Sequence, residues 1–143
     1  MRWITCTVVA GLLLAIAAAP QALAQKQKLK VPIEMKWDGS VDDENLMKDA
    51  PQVFTSAKSF EKTWKVWKIK GDVPKVDFGK HLVVAVYSRG SKLKMAGATL
   101  NEKGDLSVLS LGTRDLAPGF RFVFGTVPKD GVMSVNGKVL PKE

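Results

Sequence analysis

The chain has 143 residues, with 22 basic and 14 acidic side chains, a formal charge of +8, one cysteine and one histidine. One cysteine excludes a disulfide framework, and one histidine leaves few routes to acid–base, Ser-His-Asp or zinc chemistry. The positive charge keeps such a chain soluble and draws it toward anionic surfaces.

The first 24 residues read as a secretory leader. Arg2 supplies a basic start, residues 8–19 are apolar with one interruption at Gly11, and Ala22-Leu23-Ala24 is a small-x-small cleavage site. The apolar run is shorter than the ~20 residues a bilayer needs, and Pro20 follows it, so cleavage after Ala24 is expected rather than anchoring. No transmembrane segment is expected in what remains. Cys6 falls inside the leader and lacks the small-residue setting of a lipid-modified cysteine. The mature chain then has no thiol, and a cleavable leader without disulfides points to a bacterial source. The expected location is periplasmic or extracellular. Partners there are envelope proteins, acidic glycans or other anionic polymers, not nucleic acid. Residues 25–143 suffice for one domain with one core.

Residues 25–30 (QKQKLK) are polar and basic and read as a disordered tail. Val31, Ile33, Met35 and Trp37 alternate with Pro32, Glu34 and Lys36, which predicts a half-buried strand with Pro32 at its edge or start. Asp38-Gly39-Ser40 reads as a turn. Asp42, Asp43 and Glu44 follow in a polar connection to Pro51. Three consecutive carboxylates diverge, and they lack the alternate spacing, sixth-position Gly and twelfth-position Glu of a calcium loop, so a solvated loop is expected.

Val53-Phe54-Thr55 predicts a short strand, and Ser56 an N-cap. Ala57, Phe60, Trp64 and Trp67 then recur at helical spacing on one face. Three large apolar groups on one face point to core rather than an aromatic platform, with Trp67, nearest the end, expected to be partly exposed. Lys58, Lys62, Lys65 and Lys68 lie beside that face, and with Lys70 they form a candidate surface for an anion or a partner. Glu61 precedes Lys65 by four, the order that favours an ion pair. Gly71 is the expected C′ residue.

Asp77 is placed to fix the next turn through backbone N–H groups, and Phe78 to anchor it. Leu82 to Tyr87 is apolar on both faces, as in a central strand. Met95–Leu100 and Leu106–Leu111 predict a hairpin around residues 101–105. Phe120, Phe122 and Phe124 give the next strand one aromatic face. After a turn at Pro128–Gly131, Asn136-Gly137 between apolar residues signals a tight hairpin, because a type I′ turn needs positive φ twice. About seven strands and one helix predict an α+β fold: an antiparallel twisted sheet, or small open barrel or sandwich, with the helix packed on it.

Little here carries catalysis. His81 stands alone before the central strand, no G-x-S-x-G elbow occurs, and Gly131–Lys138 misses the phosphate-loop spacing by one residue and has Val139 where a Ser or Thr would bind magnesium. A carboxylate pair remains open, but a domain of this size leaves little room for a deep cleft. No cofactor or metal is expected.

The order Val53-Phe54-x-Ser56, helical Trp64, Pro74-Lys75-Val76-Asp77-Phe78 and Leu82–Val86 resembles the PrcB C-terminal-like domain family of exported bacterial proteins, over roughly 53–124. Trp64, Asp77 and Phe78 are its candidate structural residues. Where that family often has Gly-Gly-Tyr after the apolar strand, this chain has Ser91–Ala98 with one Gly and no Tyr. The family's namesake is a non-catalytic lipoprotein of a cell-surface protease complex, so the resemblance implies an exported accessory or interaction domain. The leading expectation is a non-catalytic binding module. The alternatives are a binder of anionic envelope polymers through the lysine-rich helix face, and a small hydrolase using His81 or the acidic loop.

Overall fold

The computed structural model describes residues 28–142; the leader expected over 1–24 lies outside the described residues. The strands are β1 (Leu29–Val31), β2 (Lys36–Val41), β3 (Val53–Phe54), β4 (His81–Ser88), β5 (Leu93–Leu100), β6 (Asp105–Gly112), β7 (Phe120–Pro128), β8 (Ser134–Val135) and β9 (Lys138–Val139). The helix α1 spans Ala57–Val66. Two sheets form, a central one in the order β2-β7-β4-β3 and an outer one in the order β1-β5-β6-β8-β9. All pairs are antiparallel except β6 with β8. The fold is the expected α+β class, in its sandwich form rather than as a barrel.

Alternation along β4 and β7 places the layers. Val83, Ala85, Phe120, Phe122 and Phe124 face α1, with Phe54, Phe60, Trp64 and Trp67. Leu82, Val84, Val86, Val123 and Val127 face the outer sheet, against Met95, Ala98, Leu106 and Val135. The central sheet is thus buried on both faces, which is why Leu82–Val86 reads as an unbroken apolar run. Phe124 is the hub of the helix-side core: its ring lies 5.5 Å from Phe60, 5.6 Å from Phe54 and 5.7 Å from Trp67.

Local signals hold at several points. Ser56 Oγ accepts from Ser59 N–H at 3.3 Å and caps α1. Asn136 and Gly137 have φ of 48° and 78°, closing the two-residue β8–β9 hairpin. Asp77 Oδ1 accepts from Gly79 N–H at 3.0 Å, and Phe78 packs 6.1 Å from Phe60.

Other expectations need correction. The tail over 25–30 gives way at its end to structure, because Leu29 and Lys30 pair with Leu100 and Thr99. The single strand expected over 31–37 is two strands in different sheets, and Pro32 marks the crossing. Asp38-Gly39-Ser40 is not a turn but the middle of β2, paired with Val123, Phe122 and Arg121. Gly39 belongs there because a Cβ would lie 2.8 Å from the Phe122 ring. Ala57 is exposed rather than part of the buried helix face.

Candidate functional site

The end of α1 builds the most distinctive feature on the helix side. Trp67 is the C-cap, and Lys68, at φ 52°, is the left-handed residue after it. Ile69 N–H donates to Trp64 C=O and Lys68 N–H to Lys65 C=O, both at 3.1 Å. These are the two bonds of a Schellman motif, so the C′ residue is Lys68 and not Gly71. Gly71 serves otherwise: its carbonyl accepts from Trp64 Nε1 at 3.1 Å. Trp67 keeps helical conformation and points inward with Phe60 and Trp64, stacked on Phe124 and 6% exposed, against the partial exposure expected. Trp64, 7% exposed, is core as expected.

This turn faces β2 across a groove of about 680 Å³. Lys68 and Lys70 stand on one wall, Asp38, Asp42 and Asp43 on the other, and Trp67 and Phe122 contribute to the apolar lining. The five candidate lysines therefore do not form one surface. Lys58, Lys62 and Lys65 fall within ~60° of one another on the side of α1 opposite Phe60 and Trp64, at ~100° per residue. Lys68 and Lys70 instead share the groove with Asp38, Asp42 and Asp43. All five are exposed. The ion pair expected between Glu61 and Lys65 is absent among the described residues, whose ion pairs are Lys80–Asp77, His81–Glu34 and Arg89–Glu44.

The acidic run divides as its spacing implies. Asp43 Oδ1 accepts from Asn45 N–H at 3.0 Å and caps a short 3-10 helix over Glu44–Met47. Glu44 pairs with Arg89 at 3.3 Å, and Asp42 lines the groove. Among the described residues, no group of three His, Cys, Asp or Glu side chains could hold a metal ion. Tyr87 closes the nearby core: its hydroxyl donates to Pro51 C=O, and burial pushes the phenol far above its usual range, so it stays a neutral donor.

His81 has a partner that the sequence does not reveal. Its Nε2 lies 3.0 Å from Glu34 Oε2. Neither residue lines the groove at α1 or a second groove on the outer sheet. The groove at α1 was also hidden, since its walls are some 30 residues apart in the chain. One signal for it existed: the period-two pattern of Trp37 runs on through Gly39 to Val41, which makes Asp38 and Ser40 strand residues.

The fold and groove define a small α+β protein of helix, sheet and sheet layers with a mixed-charge cleft. No family model, curated protein or solved structure matches the chain. Among the described residues no helix is long and apolar enough to cross a membrane.

Proposed function

We propose that this chain is an exported, non-catalytic binding module that takes a protein partner of the cell envelope in the groove between α1 and β2. The observation that carries this reading is the groove's composition. A few apolar side chains (Leu46, Val66, Ile69) between a basic wall (Lys68, Lys70) and an acidic wall (Asp38, Asp42, Asp43) suit a peptide segment bearing both charges. A polyanion lying there would meet three carboxylates. The leader supports export. The resemblance over 53–124 supports an accessory role, with a protease complex of the envelope or surface as the assembly to search. The separation of His81–Glu34 from both grooves supports a non-catalytic role over a hydrolase that uses His81.

A second reading rests on Lys58, Lys62 and Lys65. They form a solvent-facing row with no carboxylate within ion-pair distance among the described residues, and such a row attracts anionic polymers weakly and salt-sensitively.

Photo-crosslinking amino acids placed at Ser40, in the groove, and at Lys62, on the row, separate the two readings in native envelope fractions. A discrete protein adduct from Ser40, lost in an Asp38→Lys/Lys70→Glu variant, is the expected result. Adducts confined to Lys62, to a polymer and abolished by salt, would replace the first reading with the second. No adduct from either position would overturn both.

A further inference from the structure

The outer sheet is left open along part of β6. β8 covers that edge only at Asp105 and Leu106. The bonds made there reveal which backbone groups face it: Gly104 and Leu106 C=O accept from Ser134 and Asn136 N–H, and Val108 N–H donates to Asn136 Oδ1 at 2.9 Å. Even-numbered residues thus point out of the sheet edge, and odd-numbered ones toward β5. The parity persists along β6, because the extra residue in the β5–β6 ladder, Ala96, belongs to β5. Val108 C=O, both backbone groups of Ser110 and Gly112 N–H consequently face outward. No strand pairs with them on that side among the described residues.

Folded proteins guard such edges with short strands, Lys, Pro or bulges. The other sheet ends of this molecule follow that rule. β1 has three residues, including Lys30, and Pro32 follows it. β3 and β9 have two residues each, with Lys138 in β9. β2 carries Lys36 and Asp38. The β6 stretch Leu109-Ser110-Leu111-Gly112 has none of these guards. It also holds Leu109 and Leu111 on the face away from the core, 61% and 60% exposed. A groove of about 530 Å³ over Ala96, Gly97 and Thr99 adjoins Leu109.

We propose that the β6 edge over 108–112 is a strand-addition site for an extended segment of a partner protein that alternates apolar residues and carries acidic flanks. Main-chain bonds to Ser110 and Gly112 would hold the segment, and alternate side chains would cover Leu109 and Leu111. The acidic preference comes from the rim. Lys94 is the cross-strand neighbour of Leu111 and points to the same face, and Lys92 and Arg114 are exposed just beyond. Asp115, which accepts from Ser91 N–H at 3.2 Å, stays ionised beside Arg114, so the rim carries three cations to one anion. This site lies on the layer opposite α1 and does not depend on the groove there.

The test is selection of displayed random 12-residue peptides on the purified protein at low salt. Recovered sequences are expected to alternate apolar residues with acidic flanks, and to bind at least tenfold more weakly to a Leu109→Lys/Leu111→Lys variant. Both leucines are exposed, so circular dichroism should confirm an unchanged fold. A Lys92→Glu/Lys94→Glu/Arg114→Glu variant should turn the selection toward basic flanks. Failure to enrich any such peptide, or binding indifferent to both variants, overturns the proposal. Sedimentation as a dimer that the leucine variant dissolves would overturn it in favour of a second copy as occupant.

Discussion

Lys68 carries an unusual burden for a lysine. At φ 52° it holds the left-handed conformation of the C′ position, where its Cβ crowds the following carbonyl. Glycine there removes the clash but adds freedom to the unfolded chain, so the two effects partly offset. We expect Lys68→Gly to stabilise the fold by about 0.5–1 kcal/mol, read as a rise in the urea midpoint at unchanged slope. A lower midpoint would show that the lysine side chain contributes more to this turn than its backbone strain costs. The opposite case is Gly39, where any side chain must displace the buried Phe122 ring. Composition identifies both residue types but not their roles. Gly71 looks like a helix stop and is an acceptor for Trp64, while Lys68 looks like a surface charge and is the stop.

At the scale of elements, α1 is held by what it buries. Its spacing alone places Phe60 and Trp64 on the core side, and both are there. The Trp64 ring lies 5.7 Å from Phe60 and 6.4 Å from Phe124, and its Nε1–H donates to the Gly71 carbonyl. Trp64→Ala removes the ring contacts and leaves that carbonyl without its donor, for an expected loss of about 3–5 kcal/mol. Trp64→Phe keeps most of the ring and should cost about 1 kcal/mol, largely the hydrogen bond. Chemical denaturation of the two variants distinguishes packing from bonding; equal losses would mean that the hydrogen bond, not the ring, fastens the helix. The strands were less legible than the helix. Two of them, β1 and β2, share one alternating stretch of sequence, and alternation does not say which sheet each half joins.

The whole molecule is closed by the connections that pass between its sheets. The chain leaves β4 through Ser91 and leaves β6 through Thr113 and Asp115, and these two crossings bind each other. Lys92 N–H donates to Thr113 Oγ1 at 3.1 Å, and Gly90 comes so close to Thr113 that a Cβ would lie 2.1 Å from its carbonyl oxygen. Hydrogen bonds from the Ser91 and Thr113 side chains hold the Asp115 carboxyl down to about 2, below its ordinary 3.8. Asp105 is lowered as well, by the Ser134 hydroxyl and Gly137 N–H that tie the β8–β9 hairpin to β6. A carboxyl depressed in the folded state releases its proton there first. Its contribution is complete above the unfolded value near 4 and is lost as pH falls toward 2. Melting temperature should therefore decline between pH 4 and pH 2, and Asp115→Asn should flatten that decline. The effect is small because Asp115 is exposed and its bonds compete with water. An Asp115 carboxyl titrating at its ordinary value by NMR would remove it from the account.

The sequence by itself determined the features set within a few residues. These are the Ser56 cap, the apolar stripe of α1, the both-faced apolarity of β4, the aromatic face of β7 and the Asn136-Gly137 turn. Each follows from backbone sterics and from bonds between near neighbours, which local chemistry specifies. Only the tertiary structure decided the rest. Residues 31–37 divide between two sheets, Asp38–Ser40 run straight because β7 pairs with them, and Trp67 is covered rather than partly exposed because Phe120 and Phe124 receive it. The groove and the open stretch of β6 belong to the same class. One needs β2 to meet the end of α1, and the other exists because β8 stops after two pairs. Such features depend on contacts between residues tens of positions apart, and local pattern carries no record of the partner.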